Sequence, residues 1–222
     1  EGLYRLNSQS QPVNALATKT TVTNGGHTYI IQLRHDARWS NGNRVTAHDF
    51  VYSWRRTLDP KSKSEFTYVF TNIKNADAIA AGKKKPSTLG VKANGDYQLT
   101  ITLSKPVAYF KKILAVSTFY PVNQPAVNKY GKKYGTSAAT TVYNGPFTLT
   151  GWTGTNNTWT LKKNPAYYDH KLVKLHQINY QVIKSNTTAY NLYQSNKLDS
   201  VTLNGEQSVQ NKNNQELKTL AG

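Results

Sequence analysis

Two consecutive segments carry the strongest structural signal in the chain: YIIQLRHDARWSNG at residues 29–42 and VTAHDFVYSWRR at residues 45–56. In the first segment, Tyr29, Ile31 and Leu33 recur with a period of two, which places them on one face and predicts a half-buried strand. The Asn-Gly pair at 41–42 predicts a turn directly after it.

The second segment reads as the start of an amphipathic helix. Thr46 and Asp49 have the spacing of a capping box, in which each side chain satisfies a free backbone N–H. The apolar residues that follow have helical spacing and predict one buried face: Phe50, Val51, Trp54 and Leu58. Arg55 and Arg56 suit the negative end of the helix dipole, and Asp59-Pro60 predicts the end of the helix.

The remaining pattern mixes strands and helices. We predict helices over 72–81, 106–114, 124–130, 186–194 and 206–220, and strands over 91–93, 97–103, 146–152, 157–163, 176–183 and 199–203. The regular strand–helix alternation of a doubly wound sheet is missing. The predicted fold class is therefore α/β in the mixed α+β sense, with mixed sheets and flanking helices.

Composition limits the possible functions. The 222 residues carry a formal net charge of +17 and include no Cys and no Met. The lack of Cys excludes disulfides, thiolate metal sites and Cys nucleophiles. The charge suits a nucleic-acid or polyanion ligand, a basic protein surface, or a fragment whose acidic partner segment is missing, and composition leaves these open.

No motif for catalysis or metal binding is present, and we predict no catalytic residue, metal or cofactor. The five histidines lack metal-ligand spacing, and neither a G-x-S-x-G elbow nor a phosphate-binding glycine loop occurs. A hydrolase built on a scattered carboxylate pair, for instance with Asp36 or Asp199, stays an alternative. The lysine runs at 83–85 and 132–133 are typical of solvated surface.

Several aromatic residues flank predicted turns, where they could line a ligand cleft or belong to an ordinary core. They are Tyr4, Phe66, Tyr68, Phe70, Phe119 and Tyr120. Sequence alone leaves both interpretations open.

Taken together, the segments at 29–42 and 45–56 closely resemble the signature of the extracytoplasmic oligopeptide-binding proteins of ABC importers, family 5 of the extracellular solute-binding proteins. Further matches follow in order along the chain: EGL at 1–3, DP at 59–60, NA at 75–76, GKK at 82–84, LGVKA at 89–93, Pro106 with YF at 109–110, PV at 121–122, NGPF at 144–147, KNP at 163–165 with Tyr167, and LD at 198–199. The resemblance implies the N-terminal portion of a type II periplasmic-binding-protein-like fold (cluster C).

The resemblance also implies a function without chemistry. A family member captures oligopeptides outside the cytoplasm and delivers them to the membrane permease of an ABC importer. It is located at the cell surface, lipid-anchored to the outer face of the cytoplasmic membrane, or in the periplasm. We therefore expect oligopeptides and permease subunits as partners, no nucleic acid, and a lipid anchor outside this fragment.

Family members are roughly twice as long and close two lobes over the peptide. By resemblance, residues 1–123 correspond to the additional domain of the N-terminal lobe and residues 124–222 to part of lobe one, with the second lobe absent. The family's second-lobe aspartate, which pairs with the peptide amino group, has no counterpart here. We therefore expect weak peptide binding by the fragment, and self-association through apolar surface that the missing parts would cover.

Four residues are predicted to contact peptide, again by resemblance. Phe66 occupies a position that is usually aromatic in the family, more often Tyr, and the change removes the hydroxyl. Leu203, Asn204 and Gly205 resemble a lobe-one strip that offers polar groups to the peptide.

Overall fold

A computed structural model describes residues 1–214, with strands β1 (Tyr4–Leu6), β2 (Pro12–Asn14), β3 (Ala17–Thr23), β4 (Thr28–Leu33), β5 (Val91–Ala93), β6 (Gln98–Thr102), β7 (Phe147–Thr150), β8 (Thr158–Lys163) and β9 (Gln177–Gln181). The helices are α1 (Ala47–Leu58), α2 (Ala76–Ala80), α3 (Phe110–Ile113), α4 (Gln124–Tyr130), α5 (Asn186–Gln194) and α6 (Gly205–Gln210). The mixed fold class is confirmed.

The strand predicted from Tyr29, Ile31 and Leu33 is β4, one of the two inner strands of a four-stranded antiparallel sheet with the order β3-β4-β6-β5. Tyr29, Ile31 and Leu33 are buried on one face of it, as the period of two predicts. In the register, Ile31 lies opposite Leu99 of β6. This face forms one wall of the main core.

Helix α1 packs its apolar stripe into that core. Trp54 is fully buried and meets Phe119 edge to face, with ring centroids 5.3 Å apart. Its indole N–H donates to the Phe119 carbonyl at 2.9 Å, so the polar atom of a buried indole is satisfied. At the N-terminus the Asp49 carboxylate accepts a hydrogen bond from the Thr46 N–H at 2.8 Å, which confirms the predicted cap.

Some predicted elements are shorter or differ. Helix α2 begins only at Ala76, because Asn75 has a left-handed backbone with φ +69°. Helix α3 is limited to Phe110–Ile113, since Tyr109 before it is not helical. Residues 199–203 form no strand in the described part of the chain, because no neighbouring strand pairs with them there. Of the predicted helix 206–220, α6 accounts for the start, and residues 215–220 lie outside the described residues.

A separate three-stranded antiparallel sheet has the order β7-β8-β9. Its register places apolar residues of the three strands on one face, namely Phe147, Leu149, Trp159, Leu161, Ile178 and Tyr180. All six are half-buried or exposed. The opposite face is rich in Thr, Gln and Asn, so the sheet is amphipathic and its apolar face is only partly covered by the described residues.

The clustered core is built from residues between Leu3 and Phe119. Within residues 1–214, no helix combines the length and apolar character needed to cross a membrane.

Candidate functional site

The first residues of the chain meet the segment around 144–169 at a polar junction. The Tyr167 hydroxyl donates to Oε2 of Glu1 at 2.6 Å, and the Asn144 amide donates to the Glu1 carbonyl at 3.1 Å. Gly2 lies against the ring of Tyr120, so close that a Cβ would stand 2.6 Å from two ring atoms. The structure thus brings together three segments that lie apart in the sequence: 1–3, 144–147 and 163–167.

Ion pairs surround this junction. Arg5 lies 3.2 Å from Asp169, and Arg34 binds Asp36 through two hydrogen bonds of 2.6 and 3.0 Å. The Arg34 guanidinium also lies over the ring of Tyr168, 3.2 Å from its centroid, as a cation–π contact. A concavity of about 440 Å³ opens beside Glu1, Arg5 and Tyr167.

The chemistry of these groups is that of a structural network. Hydrogen bonds from Arg34 hold the pKa of Asp36 below its ordinary value, whereas a general acid needs a raised pKa. Burial and the neighbouring Glu1 carboxylate raise the pKa of Tyr167. Asp36 is therefore poorly suited to be the proton donor of a carboxylate pair.

The aromatic residues separate into two groups. Tyr4, Phe70 and Phe119 are core residues with at most 1% exposure, and Tyr120 is half-buried. Phe66 and Tyr68, by contrast, are 54% and 69% exposed. Only these two of the six aromatic candidates are well placed to contact a ligand.

Phe66 directly precedes a short 3₁₀ helix, Thr67–Phe70, and its backbone N–H donates to the Ser64 hydroxyl at 3.3 Å. These local bonds fix the backbone and leave the ring at the surface. The predicted position is thus accessible to a ligand.

The strip at 203–205 serves as the start of α6. The Asn204 side-chain oxygen accepts from the Gln207 N–H at 2.9 Å, and the Asn204 N–H donates to Gln207 Oε1 at 3.2 Å. Gly205 is the first helical residue and Leu203 is half-buried. In the described residues, no hydrogen bond joins this strip to Phe66, so each belongs to its own local structure.

Sequence reasoning missed a groove of about 670 Å³ along α1. It is lined by Tyr52, Arg55, Arg56, Lys61, Pro86 and Gln124, among others. Arg55 and Arg56 were explained by the helix dipole alone. The recurrence of polar residues every three or four positions after His48 was the available signal for an exposed helix face.

Three of the five histidines have a polar group close to the imidazole ring. His27 and His170 each place Nδ1 3.0 Å from a backbone carbonyl, and His48 lies 3.6 Å from Asp96. Across residues 1–214, no three His, Cys, Asp or Glu residues come together as a metal site. The lysines at 83–85 and 132–133 are exposed, as expected of solvated surface.

Comparison with known proteins agrees with this structure. Residues 11–221 match the family described as bacterial extracellular solute-binding proteins, family 5 Middle. A dipeptide-binding protein of Lactococcus lactis is 45% identical over 206 residues, which is 91% of this chain and 38% of that protein. The oligopeptide-binding protein OppA of Bacillus subtilis is 38% identical over 90% of this chain and 36% of its own length.

Solved structures show the same fold. Listeria monocytogenes OppA bound to peptide superimposes with a TM-score of 0.94 at 46% identity, over 97% of this chain and 43% of that one. The pheromone receptor PrgZ gives 0.93 at 44% identity, over 97% of this chain and 43% of its own. The chain thus spans about two fifths of the length of these relatives, and it belongs to family 5 of the bacterial extracellular solute-binding proteins.

Proposed function

We propose that the chain is part of an extracytoplasmic peptide-binding protein that captures oligopeptides and delivers them to the permease of an ABC importer. The observation that carries this proposal is the match over 97% of the chain to a solved OppA bound to peptide. The protein binds and releases its ligand and performs no chemistry on it. Recognition rests on hydrogen bonds to the peptide backbone and on tolerant pockets for side chains.

The chain contributes one wall of the peptide cleft in this proposal. Phe66 offers an exposed apolar ring, and we propose that the strip formed by Leu203, Asn204 and Gly205 offers polar groups to the peptide. Support for Phe66 comes from its 54% exposure, which leaves the ring free to contact a ligand. The partner residue for the peptide amino group comes from outside these 222 residues.

Residues 1–123 are proposed to form the additional domain of the N-terminal lobe, and residues 124–222 part of lobe one. Support comes from the clustered core, whose buried members all lie between Leu3 and Phe119. In this proposal the protein works outside the cytoplasm, either held at the cell surface by a lipid anchor or in the periplasm.

The isolated chain is proposed to self-associate. The apolar face of the β7-β8-β9 sheet supports this, since water-exposed apolar area favours contact with another apolar surface.

Calorimetric titration of the complete gene product with a mixed set of short peptides tests the function. We expect saturable binding that weakens about tenfold in Phe66→Ala and is largely kept in Phe66→Tyr, as for loss of a buried apolar contact. Tyr109→Ala is the matched control, because Tyr109 is also exposed, at 65%, and lies outside the proposed wall. The proposal is wrong if the complete protein binds no peptide, and the role of Phe66 is wrong if both alanine variants behave alike.

A further inference from the structure

The groove along α1 lies on the side of that helix that does not enter the core. One stripe of α1 is buried among apolar residues, with Phe50 and Trp54 fully inaccessible. The other stripe, which includes Tyr52, Arg55 and Arg56, lines the groove. A rigid, well-packed helix thus fixes the positions of these side chains.

Positive charge in the groove has little compensation. The Arg55 guanidinium donates to the backbone carbonyls of Ser87 at 3.2 Å and Val91 at 3.5 Å, and its buried Nε has no partner within residues 1–214. In the same part of the chain, no salt bridge involves Arg55, Arg56 or Lys61. Neutral groups therefore hold the Arg55 guanidinium in place, and no carboxylate of the described residues pairs with its charge.

A single carboxylate, that of Asp59, is among the residues that line the groove. Its Oδ1 accepts a hydrogen bond from the Lys61 N–H at 3.0 Å, where it caps a turn. The three cations Arg55, Arg56 and Lys61 thus outnumber the one acid, which is itself occupied by a backbone donor.

The shape and lining indicate what kind of anion fits. A volume of about 670 Å³ is that of a small-molecule site and is far larger than a simple ion requires. Val51 and Pro86 add apolar wall, and Tyr52 and Gln124 add neutral polar groups. Guanidinium groups bind phosphate oxygens in a planar, two-pronged manner.

We propose that this groove is a second binding site, separate from the peptide cleft, that takes a phosphate group carried on a small organic body. Phe66 and residues 203–205 are not part of its lining. The groove and the predicted peptide-contacting residues thus share no residue. The phosphate comes either from a soluble phosphate ester or from a phospholipid headgroup.

The test uses the complete gene product and two probes that each carry a phosphate group esterified to glycerol. Calorimetry with glycerol phosphate measures the soluble ligand, and flotation with phosphatidylcholine vesicles containing phosphatidylglycerol measures the lipid. Saturable binding of glycerol phosphate alone assigns a soluble ester, and binding of the vesicles alone assigns a headgroup.

Arg56→Gln with Lys61→Gln removes two exposed cations of the groove. Lys171→Gln with Lys174→Gln removes the same charge from exposed positions that do not line the groove. We expect the groove variant to lose about tenfold or more in affinity, the control to change less than about twofold, and peptide binding to stay unchanged in both. Equal loss in both variants would show attraction to the overall charge of +17 and would overturn the site, as would the absence of saturable binding to either probe.

Discussion

The hydroxyl of Tyr167 donates a hydrogen bond of 2.6 Å to the carboxylate of Glu1, across 166 positions of the sequence. Tyr167 is only 3% exposed, and the Glu1 side chain is almost equally shielded. This bond and the neighbouring Arg5–Asp169 pair fasten the start of the chain to the segment after β8. The junction therefore connects the first residues of the chain to a segment that is distant in the sequence.

Tyr167→Phe tests how much this hydrogen bond contributes to the stability of the fold. The change leaves a shielded carboxylate without its closest donor, so we expect the free energy of unfolding to fall by about 1–3 kcal/mol. Urea denaturation followed by circular dichroism measures it. Tyr109→Phe, at an exposed ring, should alter stability by less than about 0.5 kcal/mol. Equal stability of the two variants would contradict the importance of this hydrogen bond.

Asp49 combines capping with burial. Its carboxylate accepts from Thr46 and from the Trp39 indole, so Asp49→Ala should cost about 1–3 kcal/mol. Asp49→Asn keeps an acceptor oxygen and should cost less. Thermal unfolding of the three proteins at neutral pH would rank them, and an Ala variant as stable as wild type would rule out the capping role.

The same residue predicts a pH dependence. Desolvation by burial raises the pKa of Asp49 above its ordinary value of 3.8. As the pH falls from neutral towards 3.8, the folded wild type binds a proton before the unfolded chain does, which stabilises it. The side-chain amide that Asp49→Asn introduces cannot titrate, so the stability of wild type relative to that variant should rise over the same interval. A constant or falling difference would contradict the shift.

Gly90 is required by close packing. A Cβ there would stand 2.5 Å from the Thr102 carbonyl and 2.8 Å from Cβ of Lys74. We expect Gly90→Ala to destabilise the protein by about 1–3 kcal/mol. Gly205→Ala is the control, because nothing lies within 4 Å of a Cβ at that position. It should leave stability unchanged or slightly raised, and a comparable loss in both would show that crowding is not the cause.

Self-association of the isolated chain can be tested at the sheet face. Tyr180 stacks on Trp159 there at 5.7 Å and is 43% exposed. Tyr180→Lys should shift sedimentation towards monomer, whereas Gln181→Lys adds the same charge on the opposite face and should not. Salt screens the repulsion between chains of charge +17, so wild-type association should increase with ionic strength. A wild-type chain that stays monomeric at high salt would disprove it.

Local signals in the sequence located the strand β4, the capped helix α1 and the strands β5 and β6, because alternation and capping act over a few residues. Gly95, between β5 and β6, has a positive φ of +73°. The strand predicted at 199–203 failed for the opposite reason: a strand depends on a neighbour, and its own residues do not specify one.

The candidate site, too, could be predicted only in part from the sequence. The exposure of Phe66 and the burial of Phe70 could not be separated from sequence, because both are aromatic and only four positions apart. The groove at Arg55 depends on Lys61, Pro86 and Gln124, which come from three different segments. These residues come together only when the chain is folded.

The location of the core predicts which strands unfold only with the whole molecule and which unfold locally. Because the clustered buried residues lie between Leu3 and Phe119, amide protons of β4 and β6 should exchange with deuterium only through global unfolding. Within the described residues, the sheet that contains β8 has no closed core. The amide protons of β8 should therefore exchange through local opening, which requires less free energy than global unfolding. Opening in the two regions would therefore have different free energies, and a single melting temperature would not separate them.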